Sequence, residues 1–223
     1  LPAVTQLFTE DYMVFFLLHN TLGAWWAGKV LAAKPDLAKT AQSEIQLRAA
    51  CSVGDVEWTY LRFVREGDGP WRPAAGSFEG WPKAAKDITV LDPCMGSGHF
   101  LVFALPMLAA LRMEEEGLSV EAAIEAVLRD NLYGLEIDPR CTQIAAFNLA
   151  LAGWRRGGHR ALPPLHLACS GLSIGVSKTE WLRLAERASA ALPVPPKADL
   201  LGTDENLFSD ATKRGFEALY DLF

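Results

Sequence analysis

The stretch Asp92-Pro93-Cys94-Met95-Gly96-Ser97-Gly98-His99-Phe100 places a carboxylate and two glycines where a short apolar strand gives way to an apolar helix. In an open parallel sheet, ligands bind at the carboxyl ends of the strands. Glycines at 96 and 98 permit a tight turn and let a ligand approach the backbone. The first N–H groups of the following helix are available to a polar or negative group. Asp92 can hold the turn or accept a hydrogen bond from an ammonium. By itself, a G-x-G turn is equally an ordinary strand–helix joint. A second element, Leu132-Tyr133-Gly134-Leu135-Glu136-Ile137-Asp138, ends the next strand on an acid. Glu136 there can accept hydrogen bonds from both vicinal hydroxyls of a ribose, and Ile137 can lie against the flat face of an adenine. The two elements together describe a site for an adenosine-containing cofactor.

The glycine count separates the possible cofactors. A dinucleotide fingerprint wants G-x-G-x-x-G, and the third position here is Leu101. The acid should also follow the glycines by about 20 residues, whereas Glu136 comes later, with an extra helix between. A nicotinamide oxidoreductase is therefore a poor reading. No G-x-x-x-x-G-K-[ST] occurs, so a P-loop is excluded. S-adenosylmethionine has the ribose and adenine but no phosphates and needs no third glycine. Its ammonium suits Asp92 and its carboxylate suits backbone N–H groups.

The surrounding pattern supplies elements to carry these residues. Ile88 to Leu91 and Leu132 to Ile137 read as strands, and Leu165 to Cys169, after Pro163 and Pro164, as a third. Helices are predicted from His99 to Arg112, from a Ser119 cap through Val120, Ala123, Ile124, Val127 and Leu128, and from Arg140 to Ala152, closed by Gly153. A last helix, Glu180 to Ala191, stops at Pro193, Pro195 and Pro196. Strands alternating with helices imply an α/β fold with a Rossmann-like parallel sheet. The first third reads as helical. A Thr9 cap begins a helix to about Leu22 that Gly23 ends or interrupts, and a second helix runs from Asp36 to Ala50. Val56 to Val64 alternates and predicts a strand. Glu66 to Lys83 is a glycine- and proline-rich loop, pinned by Trp71 and Trp81. The expected divisions are a helical segment (1–50), a strand and loop (51–87) and a cofactor-binding α/β domain (88–223).

These motifs resemble a known family. DPCMGSGHFL is similar to motif I of the amino-methylating DNA methyltransferases, D-P-x-x-G-S-G-x-[FL], and YGLEIDP is similar to their motif II. Phe8-Thr9-Glu10-Asp11 looks like motif X, which precedes motif I in adenine-N6 enzymes of the γ type. TQLFTEDY, WTYLRF and the tryptophan-rich loop look like the large BREX or PglX-like methyltransferases of phage defence. The resemblance spans about residues 5 to 175 and implies a class I methyltransferase fold with S-adenosylmethionine as cofactor. It implies that Phe8 and Thr9 line the methionine end, that Asp92, Pro93, Gly96, Ser97, Gly98 and Phe100 form the wall beneath the sulfonium, and that Glu136 and Ile137 hold the ribose and adenine. Where the family often has a motif III aspartate, this chain has Ala168-Cys169-Ser170-Gly171, so Ser170 or a backbone group takes that contact. The catalytic [NDS]-P-P-[YFW] is absent. Leu162-Pro163-Pro164-Leu165 and Val194-Pro195-Pro196-Lys197 lack both flanks. The resemblance thus implies a cofactor-binding part with no catalytic residue of its own, DNA contacts and catalysis in a further C-terminal part, and defence-system subunits as partners. An RNA or protein-glutamine acceptor, or a non-catalytic binding subunit, is the alternative.

Composition sets the outer bounds. The 223 residues are 50% hydrophobic and 22% charged, which fits a folded chain. The net charge of -6 argues against a module that grips DNA by charge alone. Four dispersed cysteines form no C-x-x-C and point to a reducing, cytoplasmic setting. His19, His99, His159 and His166 lack metal-ligand spacing, so no metal site is expected. Cys94 reads as a small filler in the turn, and Glu114 to Glu116 as a solvated helix end. Arg155, Arg156, His159 and Arg160 read as a solvated loop rather than a phosphate contact. The most apolar run, Met13 to Leu18, is too short to span a bilayer and predicts a buried helix. The chain starts at Leu1 and ends within the apolar spacing Phe216, Leu219, Tyr220 and Phe223, which reads as a fragment.

Overall fold

The computed structural model describes residues 9–76 and 78–170, together with Thr179 and Arg183. Two compact units divide the chain, Leu1–Cys169 and Ser170–Phe223. The Glu180 to Ala191 helix falls outside the described residues except at Arg183.

The first unit opens with a long helical rod. Helix α1 (Asp11–Leu18) passes through a π-helical turn (His19–Gly23) into α2 (Ala24–Ala33). Thr9 does not cap it. Glu10 occupies the N-cap without a side-chain hydrogen bond, and Asp11 supplies the negative charge in the first turn. Gly23 does not end the rod either. A Cβ there would lie 2.6 Å from Cε3 of Trp58, so glycine is the residue that lets the Trp58 ring pack against the helix. The expected second helix is two, α3 (Pro35–Thr40) and α4 (Glu44–Cys51). Proline at the first position starts α3, and Ser43, whose side chain accepts from the Gln46 N–H at 3.3 Å, starts α4.

Residues 52–64 depart from the predicted strand. Only β1 (Phe63–Val64) pairs, antiparallel with β2 (Arg72–Pro73), and Val53 and Val56 form an isolated bridge. The alternation instead reflects buried anchors, Val56, Trp58, Leu61 and Phe63, separated by exposed turn residues. Indole N–H groups tie this region down. Trp58 and Trp26 donate to the Cys51 carbonyl at 2.8 and 3.0 Å, and Trp71 donates to Ala41 at 2.9 Å. Trp81, expected as a second pin for the loop, is exposed and packs on Phe78 within the loop.

The sheet that positions the site is parallel, in the order β3 (Val90–Asp92), β4 (Leu132–Glu136), β5 (His166–Cys169). This matches the expected mixed α/β architecture with a Rossmann-like parallel sheet and an N-terminal helical segment. Helices α5 (His99–Glu116), α6 (Val120–Asp130) and α7 (Pro139–Gly157) pack against it. Ser119 caps α6 as predicted, accepting from Ala122 N–H at 3.2 Å. Helix α7 runs past Gly153, which is buried against Ile124 and Leu128, and stops at Gly158 with φ +78°. Leu101, Leu105, Leu108, Ile124, Leu128 and Leu132 form the fully buried centre. Among the described residues, Leu91 and Leu135 lie exposed on the sheet. No helix of the described residues is long and apolar enough to cross a membrane.

Two polar knots hold the layers together. Glu115 pairs with Lys29 of α2 and accepts from the Ala85 N–H at 2.7 Å. Arg112, almost wholly buried, reaches Glu116 at 2.7 Å, Asp130 at 2.9 Å and Asn131 at 3.2 Å. The acidic end of α5 is thus bound to its neighbours rather than merely solvated.

His19, in the π turn, is 2% exposed, and its Nδ1 accepts from the Tyr60 N–H at 3.1 Å. Burial disfavours the imidazolium and pulls its pKa from 6.5 down to about 4. The unfolded chain therefore takes up this proton first as pH falls. Stability is full above pH 6.5 and is lost between there and about pH 4. The expected loss is about 2 kcal/mol after allowance for solvent screening. Urea denaturation at pH 7 and pH 4.5 should show a smaller drop in His19→Phe than in the parent. Equal drops would exclude His19 as the source.

Candidate functional site

The register brings the carboxyl ends of β3 and β4 together. Asp92 is opposite Gly134, so Glu136 projects two residues further along the neighbouring strand on the same face. The chain leaves β3 through Pro93 and Cys94, both exposed, and turns back at Met95, whose N–H donates to the Leu135 carbonyl at 2.9 Å. Met95 is buried against Gly134, where a Cβ would collide with its sulfur and lie 2.9 Å from Leu167 Cδ2. Gly134 thereby lets the turn sit directly on the sheet.

Gly96 and Gly98 both take left-handed conformations, φ +53° and +81°, which only glycine adopts without cost. Their surroundings differ. A Cβ on Gly98 would lie 3.1 Å from Ala145 Cβ and 3.3 Å from its Cα, so this glycine seats the turn against α7. A Cβ on Gly96 would meet nothing within 4 Å, so Gly96 presents its backbone to open space. Asn148 of α7 fixes the turn further, donating to the Ser97 carbonyl at 3.0 Å. Gly98→Val should therefore cost about 3 kcal/mol, from left-handed strain plus the clash with α7. A urea midpoint unchanged from the parent would contradict this seating.

Two carboxylates face this turn. Asp92 Oδ1 accepts from the Cys94 N–H at 3.1 Å. Its pKa lies above the ordinary carboxylate value, first because of burial and further because of the nearby Glu136 charge, with the Cys94 hydrogen bond opposing. Glu136 Oε2 accepts from the Gly96 N–H at 2.7 Å, and Oε1 from the N–H groups of Ile137 at 2.8 Å and Asp138 at 3.0 Å. Ile137, next along, is 68% exposed. Asp138 caps α7, accepting from the Arg140 N–H at 2.8 Å.

The structure thus gathers Asp92, Gly96, Ser97, Gly98, Glu136 and Ile137 at one end of the sheet. Phe100 is partly buried against the core at the start of α5. Thr9 is half-buried just before the helical rod, and Phe8 lies outside the described residues. Ser170 follows β5 and is counted with the second unit. Three contributors were not picked out from sequence: Met95 as the plug over Gly134, Ala145 beneath Gly98, and Asn148 on Ser97. All three depend on partners remote in the chain. His99 Nε2 sits 3.1 Å from Asp11 Oδ1, and Phe15 packs edge-on against Phe103, so α1 lies beside the first turns of α5. Arg155 and Arg156 lie in the last turn of α7 rather than in a loop, whereas His159 and Arg160 follow its Gly158 cap. Arg156 pairs with Asp55 at 3.1 Å and Arg160 with Glu125 at 3.0 Å.

Residues 78–158 match the family model described as MmeI, DNA-methyltransferase domain. Over 151 residues, 68% of this chain, the sequence is 35% identical to the adenine-specific methyltransferase PglX of Lacticaseibacillus casei (strain Zhang). Over the same length it is 30% identical to the adenine-specific methyltransferase BrxX of Escherichia coli O9:H4 (strain HS). A 91-residue stretch is 34% identical to PglX of Streptomyces coelicolor. The first two alignments each cover 11% of the relative, so the chain spans about a tenth of the length of these curated relatives.

Proposed function

The chain is a homologue of a short portion of the adenine-specific methyltransferases PglX and BrxX, and from that premise we propose that it forms the S-adenosylmethionine-holding part of an adenine-N6 DNA methyltransferase. The observation that carries this reading is the convergence of Asp92 and Glu136 on a glycine turn whose Gly96 opens onto free space. Two carboxylates make a poor seat for a pyrophosphate and a good one for a cationic adenosine derivative. The residues fit the group. Glu136 takes the ribose hydroxyls and Ile137, exposed beside it, covers the adenine. Asp92 receives the ammonium, and the Gly96–Gly98 backbone with Ser97 and Phe100 forms the wall by the amino acid, Pro93 directing the chain into the turn. Thr9, just ahead of the helical rod, closes the methionine end.

When bound, the cofactor supplies an electrophilic methyl group on sulfur. An adenine N6 would be the acceptor of that methyl group. This chain's residues position the cofactor for that in-line transfer. Neither Pro-Pro pair in the sequence carries the polar and aromatic flanks that hold a target amine, so no acceptor chemistry is assigned to it. Calorimetric titration of the 223-residue chain with S-adenosylmethionine and S-adenosylhomocysteine should give saturable binding that NADH does not displace. Displacement by NADH, or no heat from a folded sample, would defeat the assignment.

A further inference from the structure

A second cavity, of about 620 Å³, lies away from the glycine turn. Its walls come from α1, the 55–60 turn, the middle of α5 and the end of α7. Phe15, Val102, Phe103 and Pro106 give it apolar sides, and none of Asp92, Gly96 or Glu136 lines it. The volume is that of a typical small-molecule pocket.

His19 makes this cavity more than a gap. It lines the space while being 98% shielded from solvent, with rings of Phe15 and Trp58 set edge-on at 5.4 Å. Its Nδ1 is the acceptor for the Tyr60 N–H, so in the neutral ring the proton sits on Nε2. No described residue accepts from that Nε2–H. A ligand acceptor seated in the cavity would take up this donor, which the described residues leave unused.

Charge at the rim balances. Asp55 and Glu57 oppose Arg155 and Arg156, with Asp55 and Arg156 already paired. The rim therefore selects for no net charge. We infer that this cavity is a second ligand site, taking a small uncharged aromatic molecule whose ring carries an acceptor atom for His19 Nε2–H.

Quinoline and naphthalene test this directly, being alike in shape and differing by one ring acceptor. Ligand-observed NMR titration of the 223-residue chain at pH 7.5 should show quinoline binding about fivefold more tightly, the worth of one net hydrogen bond. His19→Phe, confirmed folded by circular dichroism, should erase that preference while still admitting both rings. Thr59→Trp, at an exposed rim position, should reduce binding of both and stands in should the buried substitution unfold the chain. S-adenosylhomocysteine at saturation should leave quinoline bound. Equal affinity for the two rings in the parent, displacement by S-adenosylhomocysteine, unchanged binding in Thr59→Trp or absence of saturable binding would each overturn the proposal.

Discussion

Glu136→Ala is expected to lower affinity for S-adenosylmethionine at least about 100-fold, because under the proposed ribose role charge-assisted hydrogen bonds to both hydroxyls would disappear together. The loss has a second source. In the structure Glu136 gathers the N–H groups of Gly96, Ile137 and Asp138, so its removal also loosens the turn that shapes the pocket. Glu136→Gln separates the two. It retains the length and one acceptor oxygen but not the charge, and should cost about tenfold. Calorimetry on folded samples reads both. Binding by Glu136→Ala within threefold of the parent would remove the ribose role. Comparable, large losses in both variants would mean that charge rather than turn geometry dominates.

The largest effect on stability is expected from Asn131→Leu. Asn131 is completely buried. Its Nδ2 donates to the carbonyls of Ala85 at 3.0 Å and Ile88 at 2.6 Å, and its Oδ1 accepts from Arg112 at 3.2 Å. Its own carbonyl accepts from the Val90 N–H at 2.7 Å. One side chain therefore joins the end of α6, the segment entering β3 and the buried guanidinium. Leucine of similar size fills the space and satisfies none of these groups. The Ala85 carbonyl keeps the Ile88 N–H at 3.2 Å, but the stranded Ile88 carbonyl and guanidinium N–H should cost about 4 kcal/mol, or about 10 °C in melting temperature for a chain of this size. A melting point within 2 °C of the parent would show that water or local rearrangement replaces these bonds. Because the segment leads into β3, the folded fraction of Asn131→Leu should also bind cofactor more weakly.

The elements nearest the site were the most legible in sequence, because their signals are local. The left-handed turn at Gly96 and Gly98 and the Ser119 cap are set within a few residues of themselves, though the seating of Gly98 on Ala145 is not, and the apolar spacing of α6 names its buried face directly. Glycines used for close packing misled. Gly153 read as a helix end and Gly23 as an end or interruption, and the α-helix does pass through a π turn closing at Gly23, yet each glycine makes room for a ring or branched side chain supplied from elsewhere, Trp58 and the pair Ile124 and Leu128. Only the partner distinguishes such a glycine from Gly158, which does end its helix with φ +78°. Val56 to Val64 failed for a related reason. Alternating apolar residues suit a strand or a loop anchored at intervals, and here Val56, Trp58, Leu61 and Phe63 are buried anchors whose spacing slips by one at Thr59 and Tyr60. His19 could not be placed from sequence, since its partner Tyr60 is 41 positions away.

The π turn at His19–Gly23 gives the N-terminal rod two halves with different facings. Upstream, Val14 and Leu18 are buried and Phe15 meets Phe103. Downstream, Trp25 and Leu31 are buried and α2 lies against α3 and α4. Each helical residue turns the chain by about 100°, so removing a single residue within 19–23 would swing one facing by about that angle relative to the other. The rod should therefore tolerate many exchanges of residue type on its exposed side but almost no change of length. Among sequences that share this arrangement, insertions and deletions should fall outside residues 11–33, and the spacing between Asp11 and Trp25 should vary less than the residues that occupy it.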